Sequence, residues 1–324
     1  MKLLKIVRNN YIYKKLSTIK RKIKYRERKT SYGDKNPDDV FYIIGQHDKT
    51  CGLWWIINKV IMHIAYAEEK GYIPVVDYLT FQTQYHMPSE IGKVNVWEKF
   101  FEQPSGICLK DISESKNIIL SDQYSAPNKK YLMGNTDFYT DLNRREYFRR
   151  IFDKYIRFTT ETENLLEERR RKIIPNNKKV LGILCRGTDY LLKRPKDHPI
   201  QPQPQTVISM AKEALNKYEC DYIFLATEDA DILALFKKSF PNKLLFIDQK
   251  RVSHEEMKNV ERVMAVNVKI NDNRYEMGLN YLTATYILSK CDCFIGGRTG
   301  GTKGVLLMTK GFEYEYVFNL GFYS

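Results

Sequence analysis

The sequence predicts an α/β chain in which two Rossmann-like domains face each other across a cleft. Three observations lead there. From Val180 onward, short apolar runs alternate with helix-patterned stretches four times, joined by short turns, and repeated βα units of this kind build parallel sheets. The first half holds a strand–loop–helix–strand unit of its own, from Phe41 to Tyr78. A chain of 324 residues, 43% hydrophobic and 13% aromatic, is long and apolar enough for two ordinary cores.

From Lys2 to Lys29 the chain is crowded with Lys and Arg, and Glu27 is the only acid. Leu3, Leu4, Ile6, Val7, Tyr11, Ile12, Leu16, Ile19 and Ile23 recur at helical spacing, which predicts a basic amphipathic helix. It is too charged to span a membrane and lacks the apolar core of a signal peptide. The expectation is that residues 1–30 dock on an anionic membrane surface, with the protein cytoplasmic and peripheral at the inner face. Ser31 to Asp39 is a linker of turn residues. Phe41 to Gly45 is a buried strand, Leu53 to Lys70 an apolar helix, Ile73 to Tyr78 and Asn117 to Asp122 two further strands, and Leu142 to Ile174 one or two charged helices. Pro175-Asn-Asn177 breaks the pattern, giving a tail and linker 1–38, a first domain 39–175 and a second domain 176–324.

In the second domain the strands are Val180 to Cys185, Asp221 to Thr227, Leu244 to Asp248 and Cys291 to Gly297. The helices are Thr206 to Tyr218, Ala230 to Phe240, Asn280 to Ser289 and Thr302 to Thr309. The net charge of +14 calls for an anionic partner: nucleic acid, a membrane surface or a phosphorylated substrate. Nucleic acid is disfavoured, because the excess sits in the tail and no helix-turn-helix or aromatic RNA motif is present. The six cysteines fall mostly in apolar runs without metal-ligand spacing, and they read as buried free thiols.

Three strand ends carry the chemistry. The first is Arg186-Gly-Thr-Asp189, followed by His198-Pro-Ile-Gln201. An arginine held by a carboxylate at the carboxyl edge of a parallel strand suits a phosphate group. The second is Leu225-Ala-Thr-Glu-Asp229, where Glu228 and Asp229 either meet a base or ribose or cap the next helix. The third is Phe294-Ile-Gly-Gly-Arg-Thr-Gly-Gly-Thr-Lys-Gly304. Here Arg298, Thr299, Gly300, Gly301, Thr302 and Lys303 offer cations, hydroxyls and backbone amides at a helix N-terminus, donors for a phosphate. It lacks the P-loop spacing, because Gly304 follows Lys303. In the first domain Gln46-His-Asp-Lys-Thr-Cys-Gly-Leu53 lies between strand and helix, and places His47, Asp48 and Gly52 at the cleft. No histidine has a metal-ligand partner at useful spacing, so no metal is expected.

This ordered set resembles the fucosyltransferase superfamily of α1,2-, α1,6- and protein O-fucosyltransferases, most of all the α1,6 type. Arg186-Gly-Thr-Asp189 with His198-Pro-Ile200 matches a strand ending in Arg-Arg-Thr-Asp with His-Pro-Ile nine residues past the Asp. Leu225 to Asp229 matches Leu-Ala-Thr-Asp-Asp, Cys293 to Val305 the later strand–turn–helix motif, and Cys51-Gly52 the Cys-Gly pattern before an apolar helix. The resemblance implies a metal-independent, inverting GT-B glycosyltransferase using GDP-fucose or a related nucleotide sugar. Its acceptor would be a surface polysaccharide, as in capsule or lipopolysaccharide, or a lipid-linked glycan. It gives Arg186 the charge on the β-phosphate, Asp189 the orientation of that arginine and Asp229 the base, with Thr188, His198 and Glu228 also on the donor. The chain departs from the pattern at Leu184, where the family has histidine, and at Gly187, Tyr190 and Arg194, where it has a second Arg, a basic residue and a candidate catalytic Glu. The acceptor's base is left between Asp197 and Asp48.

Overall fold

The computed structural model describes residues 20, 23–134, 137–258, 260, 263, 266 and 273–324. The predicted N-terminal helix therefore lies almost wholly outside the described residues; Lys20, Ile23 and Lys24 are helical. The first sheet has the order β1-β4-β2-β3, formed by β1 (Arg28–Thr30), β2 (Lys35–Ile44), β3 (Ile73–Val76) and β4 (Ser115–Leu120). β2 runs parallel to β3 and β4, and β1 pairs antiparallel at the edge. The second sheet, β7-β6-β5-β8-β9, is parallel throughout. Its strands are β5 (Val180–Leu184), β6 (Tyr222–Ala226), β7 (Leu244–Leu245), β8 (Cys293–Gly297) and β9 (Tyr314–Phe318).

The helices that position the cleft are α1 (Leu53–Lys70), α2 (Asp137–Thr140), α3 (Leu142–Tyr155), α4 (Thr160–Ile173), α5 (Thr188–Lys193), α6 (Pro204–Lys217), α7 (Ala230–Ser239), α8 (Arg274–Ser289) and α9 (Gly300–Met308). Several expectations shift at their ends. Leu244 to Asp248 pairs only over Leu244–Leu245, so Phe246 to Asp248 becomes loop. Cys291 precedes its strand, and the last strand, Tyr314–Phe318, was not predicted because Tyr-Glu-Tyr-Val-Phe mixes a charge into a half-buried run. The short helix α5 was missed as well. α8 begins six residues earlier than predicted, where Asn273 caps it by accepting from Glu276 N. All six cysteines are free; Cys185, Cys220, Cys291 and Cys293 are buried, and Cys51 and Cys108 are half-buried.

The two halves share a core. α1 is buried on nearly every face, and its cluster takes in Leu279 and Leu282 of α8 and Leu306 and Leu307 of α9. Trp54 is the hinge of this contact. Its Nε1 donates to Thr285 Oγ1 at 2.9 Å, and a side chain at Gly304 would fall on its indole. The β5–β6 layers have their own clusters on the two faces of the second sheet. Among the described residues no helix is long and apolar enough to cross a membrane.

Candidate active site

In the second sheet the chain starts at β5, moves outward through β6 and β7, then returns to β8 on the other side. Loops after β5 and β8 diverge at that reversal and leave a crevice at the carboxyl edge, where ligands of open parallel sheets bind. A cavity opens there. It is lined by Arg186 after β5, by Thr227 and Glu228 after β6, by Arg251 beyond β7, by Tyr281 of α8, and by Tyr85 from the first half.

Arg186 is fixed by its own motif. Its Nη2 donates to Asp189 Oδ1 at 3.0 Å, and its guanidinium lies 4.4 Å from the centre of the Tyr190 ring. Burial alone would depress this arginine; the charges of Glu228 and Asp189 outweigh burial and raise its pKa. Burial pushes the Glu228 carboxyl above its usual range, with Arg186 opposing. The site therefore holds a cation beside a carboxyl whose burial favours its neutral form more than in water.

The turn that throws Arg186 into the cleft is strained. Thr188 has φ +41° and is fully buried, an outlier for a β-branched residue. The second strand end holds it: Asp229 Oδ2 accepts from Thr188 N at 2.8 Å, and Glu228 Oε1 accepts from Thr188 Oγ1 at 2.9 Å and from Gly187 N at 3.1 Å. Asp229 is fully buried. Its Oδ1 caps α7 through Asp231 N and Ile232 N, and its Oδ2 meets Thr188 N and His254 Nε2. Of the two roles open to it in the sequence, capping is the one seen, and its oxygens face protein donors. Among the described residues Asp229, Asp231 and His254 are close enough to share a metal, but hydrogen bonds among them already account for their geometry.

The glycine-rich turn feeds a helix that starts at Gly300, two residues earlier than predicted, and is then covered. Thr299 caps α9 by accepting from Thr302 N at 3.0 Å, and Gly301 brings its backbone against the Tyr281 hydroxyl. Arg298 and Lys303 are buried. The ring of Tyr139, whose hydroxyl donates to Thr299 O at 2.8 Å, lies under both cations. Lys303 Nζ donates to Met133 O at 2.8 Å. Burial lowers Lys303 to about 8 and Arg298 below its usual value. Nε and Nη1 of Arg298 are buried with no partner among the described residues.

Of the residues singled out in the sequence, Arg186, Glu228 and Thr299 line the cavity. Asp189 and Thr188 stand directly behind them. Gly300 and Gly301 lie in the first turn of α9, against Trp54 and Tyr281. His198 is exposed and meets the Tyr190 ring edge-on at 5.5 Å. Asp197, also exposed, has φ +61° and donates its N–H to Tyr323 O at 2.9 Å. His47 stacks on Tyr25 at 4.0 Å, Asp48 Oδ1 accepts from Thr50 N and Oγ1, and Gly52 starts α1. None of Asp197, Asp48 and His47 lines the cavity. Tyr281, Arg251 and Tyr85 were missed. Arg251 was findable: it follows a strand's carboxyl end, and its three donors close on the carbonyls of Thr227, Gln249 and Ile247.

Two sheets with parallel centres, their helices interlocked and a cavity at the carboxyl edge, define the GT-B class of fold. No family profile matches the chain, and no curated protein matches it in sequence. Solved structures match in fold. NodZ α-1,6-fucosyltransferase co-crystallised with GDP aligns with a TM-score of 0.50 and 16% identity, over 84% of this chain and 93% of that one. A mutant of Arabidopsis thaliana FUT1 in complex with GDP aligns with a TM-score of 0.50 and 10% identity, over 87% of this chain and 71% of that one. The likeness read from short motifs thus extends to the fold, and the structures it points to are fucosyltransferases.

Proposed function

We propose that the protein is an inverting glycosyltransferase that moves fucose from GDP-fucose to a glycan, without a metal. The observation that carries this reading is Arg186, a half-buried cation at the carboxyl edge of β5 that lines the cavity, held by Asp189 and faced by the charge of Glu228. As the glycosidic bond breaks, negative charge grows on the β-phosphate; a preorganised guanidinium in a closed cleft stabilises it without rearranging. Thr299 at the N-terminus of α9 also lines the cavity, where the dipole of that helix favours an anion. The acceptor hydroxyl needs a base on the face opposite the leaving group. Asp197 and Asp48 are the carboxylates assigned to that task; both are exposed, and neither lines the cavity, so an acceptor bound across the cleft would have to bring its hydroxyl to one of them.

The acceptor in this reading is a surface polysaccharide, such as capsule or lipopolysaccharide, or a lipid-linked glycan, reached at the inner face of the membrane by the basic segment 1–30. A transferase of the same fold using another nucleotide sugar is the second reading. It is favoured by one observation: Asp229, the residue assigned to the base, spends its oxygens on protein donors. The test is transfer of labelled sugar from GDP-fucose, GDP-mannose and UDP-sugars to membrane-derived glycans, with and without EDTA. Transfer from GDP-fucose alone, indifferent to EDTA, supports the first reading. Transfer from a UDP-sugar replaces it with the second.

A further inference from the structure

Arg186 is held by one hydrogen bond to Asp189 Oδ1, while its Nε is buried with no partner among the described residues. One such bond fixes a distance but leaves the plane of the guanidinium free to turn about it. The second restraint is the Tyr190 ring, 4.4 Å from Arg186 Cζ. A flat cation on an aromatic face has its plane as well as its position set.

We propose that Tyr190 is the positioning residue of the site, an aromatic floor that aims the Arg186 guanidinium at the phosphate of the donor. The proposal rests on the reading of Arg186 as a phosphate clamp. It accounts for two departures from the related pattern together: with an aromatic floor, neither a second arginine at Gly187 nor a cation at 190 is needed to steady Arg186. Tyr190 is itself well anchored. Its N–H donates to Gly187 O at 3.2 Å, and the His198 ring meets it edge-on, at 80° and 5.5 Å. His198 is fixed in turn by Lys196 O on its Nδ1 and by Tyr323 N on its carbonyl. The two separated pieces of the motif, Arg186-Gly-Thr-Asp-Tyr190 and His198-Pro-Ile200, thereby meet through one chain of contacts: guanidinium on the phenol, and imidazole edge-on to it.

The test measures affinities of GDP and GMP by calorimetry for the wild type, Arg186→Ala, Tyr190→Phe and Tyr190→Leu, with the melting temperature of each. The ratio of the two affinities isolates the contact to the β-phosphate. Arg186→Ala is expected to lower that ratio about tenfold or more, Tyr190→Leu to lower it nearly as far, and Tyr190→Phe, which keeps the ring, to leave it within about twofold. A role in folding alone would lower the melting temperature of Tyr190→Leu and leave the ratio unchanged. If Arg186→Ala lowers the ratio and Tyr190→Leu does not, the positioning role is overturned and the clamp stands. If Arg186→Ala leaves the ratio unchanged, or neither nucleotide binds, the clamp falls and the positioning role with it.

Discussion

Gly187 stands where the related pattern has a second arginine, and its surroundings show why no side chain fits here. A Cβ would fall on the Asp229 carboxylate and within 2.6 Å of Ile232 Cδ1. Gly187→Ala should therefore cost about 2–3 kcal/mol in urea unfolding, since Asp229 cannot retreat without losing the α7 cap and its bond to Thr188 N. Arg186→Ala should lower turnover of GDP-fucose by about 10²–10³-fold, the size of losing one preorganised donor to a developing oxyanion, while the melting temperature changes little. Lys59 gives a pH prediction. It is buried on α1 with Gln46 as its hydrogen-bond partner, and burial lowers it from 10.5 to about 7. The unfolded chain then holds a proton that the folded chain releases between those values, so stability rises with pH across that window. The penalty is full below pH 7 and vanishes toward 10.5. Lys59→Met should stabilise the protein by about 1–3 kcal/mol at pH 6, with the gain shrinking steadily in urea titrations at higher pH. At this scale the sequence was informative where type and position coincide, as at Arg186, Asp189 and the Thr299 cap. It was silent on Tyr281, whose importance comes from neighbours far along the chain, such as Gly301 and Arg186.

Helix α1 shows what element-scale reading can and cannot reach. Its limits, Leu53 to Lys70, were legible because an apolar run starts after Gly52 and Gly71 ends it with φ +69°. That the central strands run parallel was also legible, since repeated βα units build parallel sheets. What escaped was packing between halves. Gly304 reads as part of a phosphate turn, yet its lack of a side chain admits the Trp54 indole. Gly304→Ala should thus cost about 2–4 kcal/mol through overpacking, measured by urea unfolding. β7 is shorter than predicted because Phe246 and the residues after it turn away to place Arg251 over the cavity, a tertiary demand that no local pattern records.

For the whole molecule, the two-sheet plan follows from the alternation of elements, but the continuous core through α1, α8 and α9 does not. A shared core makes the halves one cooperative scaffold around the cleft, which suits a site whose cations are held in advance of the ligand. Much of the charge of +14 lies in residues 1–30, the segment we propose docks on an anionic membrane; removing residues 1–22 should then abolish binding to anionic vesicles and leave nucleotide affinity unchanged. On the proposed function, the cavity beside Arg186 takes a guanosine diphosphate sugar. Thermal shifts with GDP, UDP, CMP, ADP and dTDP test it most directly, on the wild type and Arg186→Ala, with and without magnesium. A ligand that binds only the folded state raises the melting temperature. Selective stabilisation by GDP, weakened in Arg186→Ala and indifferent to magnesium, is the expected result; stabilisation by another nucleotide in preference to GDP, or an Arg186→Ala response equal to that of the wild type, would rule out a GDP site beside Arg186.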